Sequence, residues 1–279
     1  MDWSRAKTVL IFVLLALNIF LLANLDPLDS GSAVSKETVG NAVKILSGRG
    51  ITPECEIPRT DTDPGKLTFD EQSGLPKSQI AGILLGKDHW SPDEMKNGKA
   101  MAEGSRSLVF NSDHSLAYSD SRPQENLDIS NRENVEKSLA KYLDLLGLPA
   151  SAYFVDSYKA GPDGSITVIY REKFKGYIVF ENYLEITAGK SGVLRLQCEY
   201  KKIENLKKSG SRIIPAYQIL LKEYGPEMGP AVITNIDLGF KESRLEQDMK
   251  EIYKQPVWRI RTGDGSERFF KASNGEEIK

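Results

Sequence analysis

The chain has 279 residues, of which 27% are charged and 40% hydrophobic, and its formal net charge at pH 7 is −2. This composition is typical of a globular protein and excludes a chain that is disordered throughout. The near balance of charge also argues against a nucleic-acid-binding protein, because phosphate backbones are bound by an excess of basic side chains.

The first distinct segment is an uncharged, proline-free apolar stretch over residues 8–25, in which Asn18 and Asn24 are the strongly polar side chains. A helix of this length, at about 1.5 Å per residue, reaches about 27 Å, which is close to the ~30 Å hydrocarbon core of a bilayer. We therefore predict one transmembrane helix over residues 8–25.

Two other interpretations of this stretch are weaker. A cleaved signal peptide has a shorter apolar core followed by small residues, and Gly31-Ser32-Ala33 forms only a weak cleavage site. A helix buried in a soluble core would need one polar face, which residues 9–17 lack. A retained membrane anchor is favoured over both.

The flanks of the stretch predict its orientation. Arg5 and Lys7 precede it and two aspartates soon follow it, and the more positive flank of a span normally stays in the cytoplasm. Trp3 lies where an aromatic side chain meets the membrane interface. We therefore expect residues 1–7 to form a cytoplasmic stub, too short for a catalytic site, in a single-pass protein of the cell membrane whose C-terminal region is extracellular.

One side of the predicted span has the spacing of a helix–helix contact. Its residues recur at alternating steps of three and four, which is the period of a seam facing one neighbouring helix. Asn18 lies near mid-span, where a partner helix can hydrogen-bond its amide and lipid tails cannot; the alternative is that the amide is merely tolerated. We predict a partner-binding seam formed by Ile11, Leu15, Asn18, Leu22 and Leu25.

The residues after the span predict a linker and a first extracellular domain. Residues 26–34, rich in Asp, Ser, Gly and Pro, are typical of a linker, and we assign residues 35–125 to the first domain. A helix is predicted to begin after the N-cap Ser35 and to end at Gly48. For the rest of this domain we predict a loop over residues 60–77, a helix over 91–101 and strands over 79–85, 107–111 and 116–119.

The patterns from residue 126 to residue 279 predict a second extracellular domain. One amphipathic helix is predicted from Asn131 to Leu146 and another from Ile213 to Tyr224. Each precedes a run of alternating strands separated by turns. We therefore predict an α+β fold of antiparallel β-meanders, each packed with a helix, with strands over residues 152–159, 166–172, 176–186 and 193–201 and over 231–240, 257–262 and 267–272.

Residues that carry chemistry are few. His89 and His114 have no companion at metal-ligand spacing, and the 39 acidic residues offer no distinguished pair for glycoside cleavage. Cys55 and Cys198 could form a disulfide, but no framework pattern supports one, so two buried thiols are favoured. We assign no catalytic, cofactor-binding or metal-binding residue from the sequence.

The opening residues carry a family resemblance. The sequence MDWSRAKTVLIFVLLALNIFLL has a Met-Asp-Trp leader with basic residues that runs into an apolar segment containing Leu-Asn-Ile-Phe-Leu at residues 17–21. In this it resembles the WalI (YycI) family. The segment FKGYIVFENYLEI at residues 174–186 resembles that family and its sister family WalH (YycH) more loosely. PVWRI at residues 256–260, together with Asn274-Gly-Glu near the end, resembles PepSY-like modules.

This resemblance implies a function. Members of the family are non-enzymatic partners of the WalK (YycG) sensor histidine kinase and act with WalH (YycH) in a two-component system that controls cell-wall metabolism. For this chain we expect no cofactor and no nucleic-acid partner. The alternative is a membrane-tethered extracellular enzyme or ligand-binding module that acts on the cell envelope. A deep cleft with paired carboxylates would favour the enzyme, whereas an exposed apolar surface would favour the regulatory partner.

Overall fold

A computed structural model gives the structure of residues 7, 11, 13–15, 34–70, 72–87, 89–209, 211–241 and 253–278. From residue 34 onward its α-helices are α1 (Lys36–Gly48), α2 (Lys77–Leu85), α3 (Arg132–Leu145) and α4 (Ala216–Glu223). The strands are β1 (Ile51–Pro53), β2 (Lys66–Phe69), β3 (Ala100–Glu103), β4 (Arg106–Ser112), β5 (Ser115–Asp120), β6 (Tyr153–Ala160), β7 (Ile166–Phe174), β8 (Tyr177–Gly189), β9 (Gly192–Glu199), β10 (Ile203–Lys207), β11 (Ala231–Lys241), β12 (Tyr253–Thr262), β13 (Glu267–Lys271) and β14 (Glu277–Ile278). They form one branched sheet.

The first strand group comprises β3 to β9. The strands β6 to β9 form an antiparallel meander, β9 pairs with β5, and β5, β4 and β3 continue antiparallel to one another. In β8, Leu184 and Ile186 are buried between more exposed neighbours, which is the period of a half-buried strand. Their core also receives Leu139 and Leu143 of α3 and the buried face of α2.

The second strand group comprises β1 and β11 to β14. The last four strands are antiparallel in chain order, and β1 pairs in parallel with β11. The helix α1 begins at Ser35, whose Oγ accepts a hydrogen bond from the Thr38 amide at 3.1 Å. Its residue Leu46 packs with α4 and with the fully buried Trp258 of β12. The indole N–H of Trp258 donates a hydrogen bond to the Ile214 carbonyl at 2.8 Å, so the polar atom of this buried side chain has a partner.

The two strand groups meet where β8 and β11 pair in parallel over two residue pairs, Gly239 with Ile178 and Phe240 with Val179. A Cβ atom on Gly239 would lie 2.3 Å from the Ile178 carbonyl oxygen and 2.6 Å from the Phe180 ring. The approach of these strands therefore requires glycine at residue 239. On the other side of β12, β2 pairs with its first residues and β10 pairs with β2.

The α+β class predicted from the sequence is confirmed, with strands in the majority. The predicted helices at residues 35–48 and 131–146 correspond to α1 and α3, and the predicted strands from residue 107 onward correspond to β4 to β9 and β11 to β13. Both meanders are antiparallel, as predicted.

The predicted strand at residues 79–85 is wrong, because this segment is helix α2. Its buried residues Ile80, Ala81, Leu84 and Leu85 recur at helical spacing, and the helix ends at Gly86 in the left-handed conformation. A short apolar run does not distinguish a buried helix from a buried strand by periodicity alone.

Three other element predictions are corrected. Residues 91–99 form turns and not a helix: the Gly98 amide donates to the Phe110 carbonyl, which directs the chain into β3. The predicted loop over residues 60–77 contains β2, which is held by pairing with β10, a strand that was not predicted. The predicted helix at 213–224 begins only at Ala216, after Pro215 in an extended conformation.

The division between residues 125 and 126 stays a prediction. Hydrogen-bonded strands connect its two sides, because β5 pairs with β9, β1 with β11, and β2 with both β10 and β12.

Candidate functional site

Arg259, in the middle of β12, is a fully buried charged residue. Its guanidinium donates two hydrogen bonds to the Asp156 carboxylate on β6, with Nη1–Oδ2 and Nη2–Oδ1 distances of 2.7 Å. Its Nη2 and Nε also donate to Oδ2 of Asp237 on β11, at 2.6 and 3.1 Å. Arg259 therefore joins β6 of the first strand group to β11 and β12 of the second.

Two further arginines converge on Asp156, whose side chain is 3% exposed. Arg171 of β7 donates to it from Nε at 2.8 Å, and Arg261 of β12 from Nη2 at 2.9 Å. Arg261 also donates to the Asp156 backbone carbonyl at 3.0 Å and to Glu267 Oε1 at 2.7 Å. We call these groups the junction charge network: Asp156, Arg171, Asp237, Arg259, Arg261 and Glu267.

The network holds Asp156 and Arg259 in their charged forms. Burial alone would raise the pKa of Asp156, but the hydrogen bonds and charge of Arg259, with the charges of Arg261 and Arg171, hold that pKa well below its usual range. Burial would lower the pKa of Arg259, and Asp156 and Asp237 raise it above its ordinary value instead. Both groups are therefore charged throughout the physiological pH range.

The alternation of β12 explains how an arginine comes to be buried. Trp258 and Ile260 point into the core of the second strand group, so Val257 and Arg259 point to the opposite face. That face is not open to solvent: Val257 packs with Ile178 and Phe180 in a small apolar cluster, and the Arg259 guanidinium lies 4.9 Å from the centroid of the Phe180 ring.

β8 changes its neighbours at residues 180–182. Val179 pairs with Glu172 of β7, and Tyr183 is the next β8 residue in that ladder, paired with Arg171. Residues 180–182 therefore form a bulge. Before the bulge β8 pairs with β11, and after it β8 pairs with β9, so the bulge lies where the sheet passes from one strand group to the other.

The side chains of the bulge make polar contacts of their own. Glu181 Oε2 lies 2.6 Å from Nζ of the fully buried Lys254. The amide of Asn182, also fully buried, donates to the Glu172 carboxylate at 2.5 Å and exchanges two hydrogen bonds with the Lys201 backbone. Burial raises the pKa of Glu172, and the hydrogen bond from Asn182 acts in the opposite direction.

The arrangement is suited to holding strands together and not to moving protons. The strong ion pairs keep Asp156 ionised, so it is a poor proton acceptor at neutral pH. Removing one member would leave a buried charge uncompensated, which is costly. In the part of the chain that the structure describes, no group of three or more His, Cys, Asp or Glu residues is placed to hold a metal ion.

Two surface cavities lie away from the junction. The first, of about 200 Å³, is lined by Asp120 and Glu125 among others. Asp120 accepts a hydrogen bond from Ser105 at 2.7 Å, and Glu125 accepts one from the Tyr142 hydroxyl at 3.2 Å, so both carboxylates are engaged within the protein. The second cavity, of about 310 Å³, lies beside α4 and the β12–β13 turn.

The predicted membrane segment is described only in part. Lys7, Ile11 and Leu15 are helical and exposed; Trp3, Arg5, Asn18, Leu22 and Leu25 lie outside the described residues. Among the residues that the structure describes, no helix is both long and apolar enough to cross a membrane. The seam and the orientation residues stay predictions.

The residues considered for chemistry are dispersed. Cys55 is partly buried and Cys198 buried, and both are free thiols. His114 lies in the turn between β4 and β5, and His89 lies in the segment after α2. The sequence prediction did not include any member of the junction charge network.

Comparison with solved structures finds distant similarities in fold. An uncharacterized protein from Eubacterium rectale ATCC 33656 matches with 14% identity and a TM-score of 0.48, over 82% of this chain and 91% of that chain. The YpeB C-terminal domain from Bacillus megaterium matches with 10% identity and a TM-score of 0.40, over 76% and 96%. YycH from Bacillus subtilis matches with 13% identity and a TM-score of 0.42, over 87% and 61%. We draw no functional argument from similarities at this level.

Comparison with models of protein families assigns the chain to a family, which the structural similarities do not. Comparison with curated proteins gives no match, but the model of the YycI protein family matches residues 29–273. The match begins beyond the apolar stretch that carried the resemblance, and it spans both strand groups and the junction charge network. The chain belongs to the YycI family.

Proposed function

We propose that the chain is a non-enzymatic accessory regulator of a WalK-like sensor histidine kinase and acts together with a WalH (YycH)-like protein. The observation that carries this proposal is the family match over residues 29–273. The regulated process is the cell-wall metabolism that such a two-component system controls.

The proposed mechanism uses the membrane and the extracellular region together. Residues 8–25 anchor the chain and present Asn18 to a kinase helix, while residues 35–279 contact the partners outside. A regulator of this kind shifts the kinase only if it contacts two kinase states unequally. The junction charge network supports this mechanism, because strand groups held together by buried ion pairs transmit a displacement instead of absorbing it.

The test is affinity purification of the intact protein from membranes, with the kinase and the YycH-like protein quantified by mass spectrometry. Asn18→Leu removes the mid-span amide, and we expect it to reduce the kinase recovered severalfold. Asn24→Leu, which makes the same change off the predicted seam, serves as the matched control. Unchanged kinase recovery and unchanged kinase output with Asn18→Leu would remove the seam from the mechanism, and absence of the kinase from the wild-type sample would refute the function itself.

A further inference from the structure

The first surface cavity, of about 200 Å³, has a polar end built on β4 and β5. Successive side chains of a strand alternate, so Tyr118 and Asp120 of β5 lie on the same face. Arg106, the first residue of β4, pairs with Asp120 in the ladder, so its side chain lies on that face too. All three residues line the cavity. The pairing of the two strands therefore brings a phenol, a carboxylate and a guanidinium together.

A second carboxylate, that of Glu125, is held at this cavity from two sides. Its Oε2 accepts a hydrogen bond from the Tyr142 hydroxyl of α3 at 3.2 Å and lies 3.5 Å from Lys141 Nζ. On the other side, a Cβ atom on Gly192 of β9 would lie 2.9 Å from Pro123 Cβ and 3.1 Å from Glu125 Cβ. The segment that carries Glu125 is therefore packed between α3 and β9.

Several polar atoms of the cavity are available to a ligand. Tyr118 is only 9% exposed, yet its hydroxyl has no hydrogen-bond partner among the residues that the structure describes. Asp120 uses Oδ1 for its hydrogen bonds, and its Oδ2 lies 3.7 Å from Arg106 Nε, which is longer than a hydrogen bond. Glu125 likewise uses Oε2, and the Arg106 side chain is 43% exposed. A hydroxyl, a guanidinium and one oxygen of each carboxylate are therefore available.

These groups converge on one another. Burial raises the pKa of Tyr118, the charges of Asp120 and Glu125 raise it further, and the charge of Arg106 lowers it. Since charges shift a pKa appreciably only at short range, the Tyr118 hydroxyl lies among all three. With Lys141 beside Glu125, this end of the cavity contains two negative and two positive charges, which cancel.

The remaining wall of the cavity is largely apolar. Ile83 and Leu84 of α2, Leu145 of α3 and Val193 of β9 line it. Ile83 is 39% exposed, so apolar surface continues to the mouth of the cavity. A volume of about 200 Å³ is smaller than the ~300–1,000 Å³ of sites for drug-sized ligands. The cavity therefore suits a small molecule with one charged end and one apolar end.

We propose that this cavity binds a free α-amino acid with an apolar side chain. The ligand's carboxylate pairs with the Arg106 guanidinium, and its ammonium group with the available oxygens of Asp120 and Glu125. The Tyr118 hydroxyl donates to the ligand's carboxylate, and the apolar side chain lies along α2 and α3. A ligand with a single charge would unbalance charges that cancel, whereas a zwitterion brings a partner for each sign.

This inference goes beyond the proposed function, because it makes the chain a receptor for a small molecule. The cavity shares no residue with the junction charge network. Its ligand can be measured on the chain alone, without a kinase, so the outcome does not depend on the proposed function.

The test is isothermal titration calorimetry of the full chain in detergent micelles, with racemic alanine, valine and leucine as separate probes. We expect saturable binding, tightest for valine or leucine. Leucinamide lacks the carboxylate charge and 4-methylpentanoate lacks the ammonium group, so each should bind at least about tenfold more weakly than leucine. No saturable binding of any of the three amino acids would overturn the proposal, and so would binding of either analogue as tight as that of leucine.

Variants assign the binding to this cavity. Tyr118→Phe should weaken leucine binding about fivefold, whereas Tyr177→Phe, which removes a tyrosine hydroxyl beside Phe240 in another cluster, should leave it unchanged. Arg106→Gln should bind leucine and leucinamide about equally, and Glu125→Gln, at an exposed side chain, should reduce the preference for leucine over 4-methylpentanoate. Wild-type binding and wild-type selectivity in all three cavity variants would place the amino acid elsewhere and overturn the assignment.

Discussion

Replacing Arg259 by Met tests whether the junction charge network holds the two strand groups together. Met has a similar length and no charge, so it can occupy much of the space beside the Phe180 ring. The substitution removes the paired contact with Asp156 and both contacts with Asp237. It leaves Asp156 in contact with Arg171 and Arg261.

The expected cost follows from these contacts. Breaking a buried ion pair by removing one partner costs about 3–5 kcal/mol. Asp156 keeps two arginines, and the Asp237 side chain is 20% exposed and can be hydrated. Both facts place the loss at the lower end, at about 3 kcal/mol in the free energy of unfolding.

Urea unfolding of the full chain in detergent micelles, followed by tryptophan fluorescence, measures this loss. Arg195→Met, on the exposed face of β9, is the matched control and should change stability by less than about 0.5 kcal/mol. Because the pKa of Asp156 is lowered in the folded protein, its stabilisation is present above about pH 4 and is lost as the pH falls further. A loss below about 1 kcal/mol for Arg259→Met would show that the network does not hold the junction.

Three other predictions concern single positions. Gly239→Ala should destabilise the chain by about 3 kcal/mol, since its Cβ would meet a backbone carbonyl oxygen at 2.3 Å. As the control, Gly40→Ala in the open middle of α1 should stabilise the chain by up to about 1 kcal/mol. Equal effects of the two substitutions in urea titrations would contradict the packing at the junction. Because burial raises the pKa of Glu172, this group lowers stability as the pH rises above about 4.3. The stability of Glu172→Gln relative to wild type should therefore increase from about pH 4 to about pH 7, and a constant difference over that range would refute the assignment. Burial raises the pKa of the Cys198 thiol to about 12, so iodoacetamide should alkylate Cys55 first in the native chain, and a mass showing both residues joined by a disulfide would contradict the free thiols.

The elements that could be predicted are those whose signals are local. Asn131 accepts from the Asn134 amide at 2.8 Å and so caps α3, which the sequence shows as an Asn before an amphipathic run. The hairpins of the first meander are set by alternation and by glycine turns. By contrast, β2 and β10 depend on each other across more than 130 residues of chain, and neither has a strong pattern alone. Such strands are specified by tertiary pairing and not by local propensity.

The junction charge network could not be predicted for a related reason. In β12 the period of two places Arg259 and Arg261 opposite the buried Trp258 and Ile260, and the usual reading of that pattern puts the arginines in solvent. One feature of the sequence does indicate that this face is covered: Val257, on the same face as Arg259, is apolar. Recognising what covers that face requires the bulge at residues 180–182, which no local pattern marks.

The strand groups are connected by backbone pairing, buried ion pairs and apolar packing. β8 and β11 pair directly at two residue pairs, and Val257 of β12 packs with Ile178 and Phe180 of β8. Arg259 and Arg261 both link β12 to Asp156 on β6. Because an interface of packed, fully paired groups has discrete arrangements and does not deform continuously, a displacement of one group either moves the other or breaks the Arg259 contacts. A regulator that passes an extracellular contact to a helix in the membrane requires the two strand groups to move together. If the proposed function holds, Arg259→Met should therefore weaken the effect of the extracellular region on kinase output more than it weakens kinase recovery.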